Sequence, residues 1–177
     1  MLQHFHLTRR QWFGILKWSV YGLLFLLTVV TQSSIISRLR PFGLKVSVVP
    51  ILLVCICLRE GPEKGGLFVL LAATFWALSG VDMGSLSLLV ITVCAVLSAF
   101  LCQTVLADRI ISAAVCCLVT MLLNASLIFA YKLMLGLVRP QSYLTVLLPS
   151  TLLSMLSFPV TYLLVKAISR IGGDHGV

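Results

Sequence analysis

The chain has 177 residues, of which 60% are hydrophobic and only 10% charged, and its mean hydropathy is +1.12. A soluble globular domain is about 45–50% apolar and about 25% charged, so the composition argues against a soluble domain and predicts an integral membrane protein. The net charge of +8 comes from cations spread thinly along the chain, which argues against a nucleic-acid-binding patch.

The first predicted span is the run of 20 uncharged residues from Trp18 to Ser37, which is long enough to cross a bilayer as a helix. Runs such as 21–30 are apolar at nearly every position, whereas a membrane barrel needs strands that alternate apolar and polar residues. The next run, 46–58, has only 13 residues and contains Pro50. It is either a short tilted span that borrows residues 42–44 or a re-entrant segment.

A polar turn at 59–64 follows, and we expect Glu60 and Glu63 to lie outside the membrane there. The four remaining predicted spans are 65–81, 85–107, 110–131 and 142–165. Pro149 and Pro159 should kink the last one, since each frees a backbone carbonyl. The sequence thus predicts an all-α, polytopic membrane helical bundle with six transmembrane helices, or five if 46–58 does not cross, in a single domain over 1–177.

The distribution of cations between the two sides predicts the orientation. With six spans both termini lie on one side, together with eight cations: Arg9, Arg10, Lys17, Arg59, Lys64, Arg109, Lys166 and Arg170. Five cations lie on the opposite side: Arg38, Arg40, Lys45, Lys132 and Arg139. The side richer in Lys and Arg usually faces the cytoplasm, so we expect cytoplasmic termini.

The predicted spans offer no obvious carrier of catalytic chemistry. No acidic residue lies in the middle of a span, and the three histidines lie near the chain ends. The six cysteines fall inside apolar runs without the spacing of a zinc site, so we interpret them as packing residues. We therefore expect no catalytic residue, no metal and no cofactor, and predict that the protein is not an enzyme.

Small and polar residues inside the spans are candidates for helix packing or partner binding. Small residues four positions apart let helices approach closely, and buried amides form hydrogen bonds between helices. Gln32 is one such amide, and Thr120 lies on the same helical face as Asn124. The amides serve either as contacts within this chain or as part of a pocket or partner interface. The candidates are Ala73, Trp76, Ala77, Ala95, Ala99, Gln103 and Asn124.

Three parts of the chain combine apolar runs with glycine, proline or serine at distinctive positions. Val49-Pro50 opens a short apolar run that ends in Arg59-Glu60-Gly61-Pro62, with Gly65-Gly66 beginning the next helix. Leu78-Ser79-Gly80 and Gly84 match a Gly- and Ser-rich turn, and Leu148-Pro149 lies in a final span that closes with residues 162–166. In these three parts the chain resembles the MreD family of bacterial rod-shape-determining proteins. One position departs from the family: many members have an aspartate where this chain has Trp76.

The resemblance implies a non-catalytic scaffold of the lateral-wall elongation machinery in the bacterial cell membrane. Its partners would be a single-span MreC-type shape protein, a RodA-type glycosyltransferase with its transpeptidase and, indirectly, the MreB actin-like filament. We expect the partner contacts on the third and fourth spans, where Trp76 would be an anchor and four small residues would permit close helix approach: Ala73, Ala77, Ala95 and Ala99. The alternative is the substrate-binding subunit of an energy-coupling-factor vitamin transporter, because such subunits have similar length and also six helices.

Overall fold

A computed structural model describes residues 9–36, 46–78, 85–104, 110–136 and 146–171. Every regular element in these ranges is helical, which confirms the all-α class for this part of the chain. The helices are α1 (Arg9–Thr31, continued by a π-helical stretch, Gln32–Ile36), α2 (Val49–Glu60), α3 (Pro62–Leu78), α4 (Ser85–Thr104), α5 (Ile110–Met134), α6 (Leu148–Met155) and α7 (Phe158–Ile171). The predicted turn at 80–84, the break at 108–109 and the C-terminal tail lie outside the described residues.

Two described helical segments, Gly14–Ser34 and Ile110–Met134, are long and apolar enough to cross a membrane. The pair α6 and α7 would be a third if it crosses as one bent span. The structure therefore contains two or three candidate spans, compared with six predicted from the sequence. Three predicted spans are not among the candidates because about 20 residues are needed to cross about 30 Å of hydrocarbon. Helix α2 has only 12 residues and α3 only 17, and α4 contributes only the shorter apolar stretch Leu89–Cys102.

Helix α2 forms the centre of the bundle. All of its residues from Val49 to Cys57 are buried, and it contacts α1, α3, α4, α5 and α7. A surface helix buries one stripe of apolar residues, whereas a helix that is apolar on every side must be surrounded. The short segment that was ambiguous in the sequence is therefore the element around which the other helices pack.

Specific contacts fix the directions of the helices. Lys17 and Gln32 of α1 meet the C-terminal and N-terminal ends of α2, respectively, so these two helices are antiparallel. Helix α3 follows α2 after one residue and packs against it, so it runs back towards the other end. Helix α5 runs the same way as α3, since Cys117 lies beside Cys55 of α2, while Met121 lines a cavity with Thr151, one turn from the Ser154 that meets Ser47. We name the two ends of the bundle the Glu60 end and the Gln32 end, after the residues that lie there.

A one-residue connection joins α2 to α3 at the Glu60 end. Gly61 has φ of 89°, a region that side chains avoid, and its N–H donates to the carbonyl of Cys57 at 3.0 Å. A methyl group on Gly65 would lie 2.8 Å from the Cα of Cys57, and one on Gly66 would lie 2.8 Å from Cγ2 of Val96. These two glycines therefore let α3 pack directly against the backbone of α2 and the side chains of α4.

The last predicted span is bent, as its prolines indicated. Helices α6 and α7 meet at 41° across the break at 156–157. Pro159 lies in the first turn of α7, where its missing N–H and ring prevent the helical hydrogen bond that would make α6 and α7 continuous. The kink predicted for Pro159 is thus confirmed, whereas Pro149 lies in the first turn of α6 and the kink predicted there stays a prediction.

The outward faces of the long helices carry large apolar side chains. Examples are Leu23 on α1, Leu71 on α3, Leu97 on α4, Val119 on α5 and Leu163 on α7, all exposed. Exposed apolar surface of this extent is unfavourable in water and favourable in hydrocarbon. The apolar helices indicate a membrane protein.

Candidate functional site

A group of polar side chains meets at the Glu60 end, between α1, α2 and α7. Oε1 of Glu60 lies 2.7 Å from Nζ of Lys17 and accepts a hydrogen bond from the Tyr21 hydroxyl at 2.8 Å. Only 9% of the Glu60 side chain and 18% of the Lys17 side chain are exposed. We name Lys17, Tyr21, Arg59, Glu60 and Tyr162 the Glu60 cluster.

Aromatic rings pack against residues of the cluster. Trp18 lies 5.8 Å from Tyr21 and 5.5 Å from Phe68 of α3, measured between ring centroids. On the other side, the Arg59 guanidinium lies over the ring of Tyr162 at 5.7 Å, within the range of a cation–π interaction. The rings restrict access of water to the charges, which strengthens the attraction between Lys17 and Glu60.

The sequence predicts a polar turn outside the membrane at 59–64, and within this turn the Glu60 side chain is largely buried against the bundle. The side chain turns into the bundle because Lys17 and Tyr21, one helical turn apart, present an ammonium and a hydroxyl on the same face of α1. A sequence signal for this contact existed. Lys17 begins a long apolar run, and a cation in that position needs a counter-ion, which the acid at the end of the next helix can provide.

A second polar contact closes the opposite, Gln32 end of α2. Oε1 of Gln32 accepts hydrogen bonds from the backbone N–H groups of Val48 and Val49, at 2.9 and 3.0 Å. The first N–H groups of a helix have no partner within the helix, and Val48 at the N-cap has no side chain that can cap them. Gln32 therefore caps α2 from a neighbouring helix, and the N–H of Ser47 donates to Oγ of Ser154 at 3.0 Å.

Buried contacts between hydroxyl or thiol groups join the helices at intermediate depth. Oγ of Ser98 on α4 lies 3.3 Å from Oγ1 of Thr120 on α5. Sγ of Cys55 on α2 lies 3.8 Å from Sγ of Cys117 on α5, and both residues are free cysteines. These contacts connect the helices of this chain to one another.

Most of the predicted packing residues lie inside the bundle. Ala73 and Trp76 of α3 and Ala95 and Ala99 of α4 are buried, and Ala77 is partly exposed. Since α3 and α4 pack against each other and against α2, these small side chains allow close approach between helices of this chain. A partner helix cannot reach the methyl groups of Ala95 and Ala99 in this arrangement.

The two predicted amides lie in different environments. Asn124 is buried on the same face of α5 as Thr120, as expected from their spacing. Gln103 lies in the last turn of α4, and its side chain is outside the described part of the structure. Sequence reasoning did not foresee the capping role of Gln32, because a cap supplied by another helix has no local sequence pattern.

A cavity of about 150 Å³ lies between α5 and α6. Leucine and methionine side chains line it, and Thr151 is the one polar residue among its lining residues. A cavity with such a lining favours apolar groups over a polar solute. Among the described residues, no group of three or more His, Cys, Asp or Glu could hold a metal ion.

Each of the polar contacts described above joins different segments of the bundle. They lie at the Glu60 end, at the Gln32 end and at intermediate depth. The described geometry is suited to holding a short central helix in a fixed position. No protein-family model, curated protein or solved structure matches the chain.

Proposed function

We propose that this protein is a multi-pass scaffold of the bacterial cell-elongation machinery, without catalytic activity, in the cell membrane. The observation that carries the proposal is the position of residues 49–66, the longest part of the chain that resembles the MreD family. They form α2 and the hairpin to α3, which are the packed centre of the bundle. The resemblance therefore rests on residues on which the fold depends, and not on incidental surface positions.

In the proposed topology, α1 to α5 each cross the membrane once and α6–α7 crosses as one bent span. The matching ends of α1 and α2 support a crossing by α2. Lys17 meets Glu60 at one end, and Gln32 meets Val49 at the other. Helix α2, about 18 Å long, therefore lies alongside the segment of α1 from Lys17 to Gln32, which is about 22 Å long. The Lys17–Glu60 ion pair and the Gln32 cap would then lie close to the two edges of the hydrocarbon.

Both termini are cytoplasmic in this proposal, since the Glu60 end carries the larger number of cations. Fusing a periplasm-active phosphatase to Val177 tests the orientation and should give no activity. The matched fusion after Gly136, at the Gln32 end, should be active. The reverse pattern would show that the orientation is opposite, and activity at both sites would show that α6–α7 does not cross the membrane.

The proposed partners are a single-span MreC-type protein, a RodA-type glycosyltransferase with its transpeptidase and, indirectly, the MreB filament. Since Ala95 and Ala99 are interior, the partner contact would use the outward side chains of α3 and α4, such as Leu71 and Leu97. Leu97→Ala should reduce co-purification of the single-span partner, whereas Leu163→Ala on α7 provides the control. If both variants co-purify the same amount of the single-span partner, the partner contact does not involve Leu97.

Depletion in the bacterial host tests the function itself. Depleted cells should become round, because lateral wall synthesis would lose a membrane component, and expression of the intact chain should restore the rods. Cells that keep their rod shape and lose uptake of a vitamin would show a transporter subunit instead. Microscopy and uptake of labelled vitamins in the same cultures distinguish the two outcomes.

A further inference from the structure

Three cations at the Glu60 end have no ion pair within the described part of the chain: Lys64 in the first turn of α3, and Lys166 and Arg170 on α7. The nearest buried acid, Glu60, already pairs with Lys17. Lys166 and Arg170 are four residues apart and therefore adjacent on one side of α7. Their two positive charges form a site that lacks a counter-ion from the described residues.

The position of these two cations along the bundle follows from the contacts of α7. Helix α7 runs parallel to α2, since Ser154, just before it, meets Ser47 and Tyr162 meets Arg59. Beyond Tyr162, Lys166 lies about 6 Å and Arg170 about 12 Å further along the helix axis. They lie past the Lys17–Glu60 level, at the outer edge of the Glu60 end.

The surroundings of the two cations are those of a membrane–water boundary. Val160, Leu163 and Leu164 are exposed on α7 just before them and form an apolar surface that leads up to Lys166. Trp12 of α1, which packs beside α7, is 63% exposed and lies about 7 Å beyond Lys17 at the same end. Tryptophan favours the level of the lipid headgroups, where its ring is partly in hydrocarbon and partly hydrated.

We propose that Lys166 and Arg170 bind the phosphate group of an anionic phospholipid, whose acyl chains lie along the exposed apolar face of α7. The charge of the site selects the lipid, because two adjacent cations without a described counter-ion attract an anionic headgroup more strongly than a zwitterionic one. Lys166 is half-buried, so its stem lies against the bundle and its ammonium is held near the boundary. This inference does not depend on a role in cell elongation.

The experiment measures lipid binding by the full chain in a neutral detergent, with phosphatidylglycerol and phosphatidylcholine of equal chain length as probes. Native mass spectrometry gives the affinity for each lipid. The unaltered protein should prefer phosphatidylglycerol, and each of Lys166→Gln and Arg170→Gln should weaken its binding about fivefold, the equivalent of about 1 kcal/mol. Binding of phosphatidylcholine should change little.

Lys132→Gln is the matched control, because Lys132 is also a basic residue in the last turn of a helix but lies at the Gln32 end. The Lys132→Gln variant should prefer phosphatidylglycerol to phosphatidylcholine as strongly as the unaltered protein does. Equal weakening by Lys132→Gln, or an unchanged preference in the Lys166→Gln/Arg170→Gln double variant, would overturn the site. If Lys166→Gln lowers the melting temperature in the absence of lipid, the phosphatidylglycerol affinity of Arg170→Gln alone tests the proposal. Arg170 is exposed, so replacing its side chain leaves the packing intact.

Discussion

The carboxylate of Glu60 lies 2.7 Å from the ammonium group of Lys17 and joins the C-terminal end of the central helix to α1. Both side chains are largely buried, so each charge depends on the other for compensation. The Tyr21 hydroxyl donates to the same carboxylate oxygen. These contacts hold α1 against α2 at the Glu60 end.

Glu60→Gln should destabilise the protein by about 3 kcal/mol, because it leaves the Lys17 ammonium buried without a counter-ion while an acceptor for Tyr21 remains. The melting temperature in detergent, followed by size-exclusion chromatography of heated samples, measures the loss. The double variant Lys17→Met/Glu60→Gln should recover part of it, since no uncompensated charge remains. Glu63→Gln, at an exposed position three residues later, should behave as the unaltered protein, and an equal effect there would contradict the burial argument.

Gln32→Ala should lower stability by about 1–3 kcal/mol, because the N–H groups of Val48 and Val49 lose their acceptor within a buried region. Hydrogen exchange at the start of α2 should increase in the same variant. Thr31→Val is a suitable control, since the Thr31 hydroxyl bonds only to carbonyls of its own helix. Unchanged exchange at Val48 and Val49 in Gln32→Ala would show that the cap is not needed.

Alanine substitutions at two helical glycines should have opposite effects. At Gly65 the added methyl group meets the backbone of Cys57 at 2.8 Å, so Gly65→Ala should separate α3 from α2 and lower the melting temperature. At Gly22 nothing lies within 4 Å, so Gly22→Ala should be neutral or stabilise α1 by up to about 1 kcal/mol. Thermal unfolding of the two variants side by side checks this prediction, and similar melting temperatures would contradict the close approach at Gly65.

Ala95→Leu should reduce stability by about 1–3 kcal/mol, because the methyl group is fully buried where α4 packs against its neighbours and a larger side chain would overpack this region. Lower yield of monodisperse protein and a lower melting temperature are the expected readouts. Leu97→Ala, two residues away on the exposed side of α4, should leave stability nearly unchanged. A stable Ala95→Leu variant that fails only to bind a partner would instead place Ala95 at a partner interface.

The sequence by itself determined the class of the protein and the positions of its interruptions. Continuous apolar runs predict helices in a membrane, because hydrocarbon requires backbone groups to bond within each segment. The prolines marked the bend in the last span, since Pro159 prevents a continuous helix wherever it lies in space. These conclusions follow from composition and from local backbone chemistry.

Only the tertiary structure decided which helix lies at the centre and which polar groups meet. Helices that are apolar on every side carry no periodicity that distinguishes an inward from an outward face, so the central position of α2 had no sequence signal. Tyr21 and Glu60 are 39 residues apart, and Gln32 caps a helix to which it does not belong. Such contacts depend on how whole helices pack, which is why the sequence assigned Glu60 to a polar turn although its side chain is largely buried.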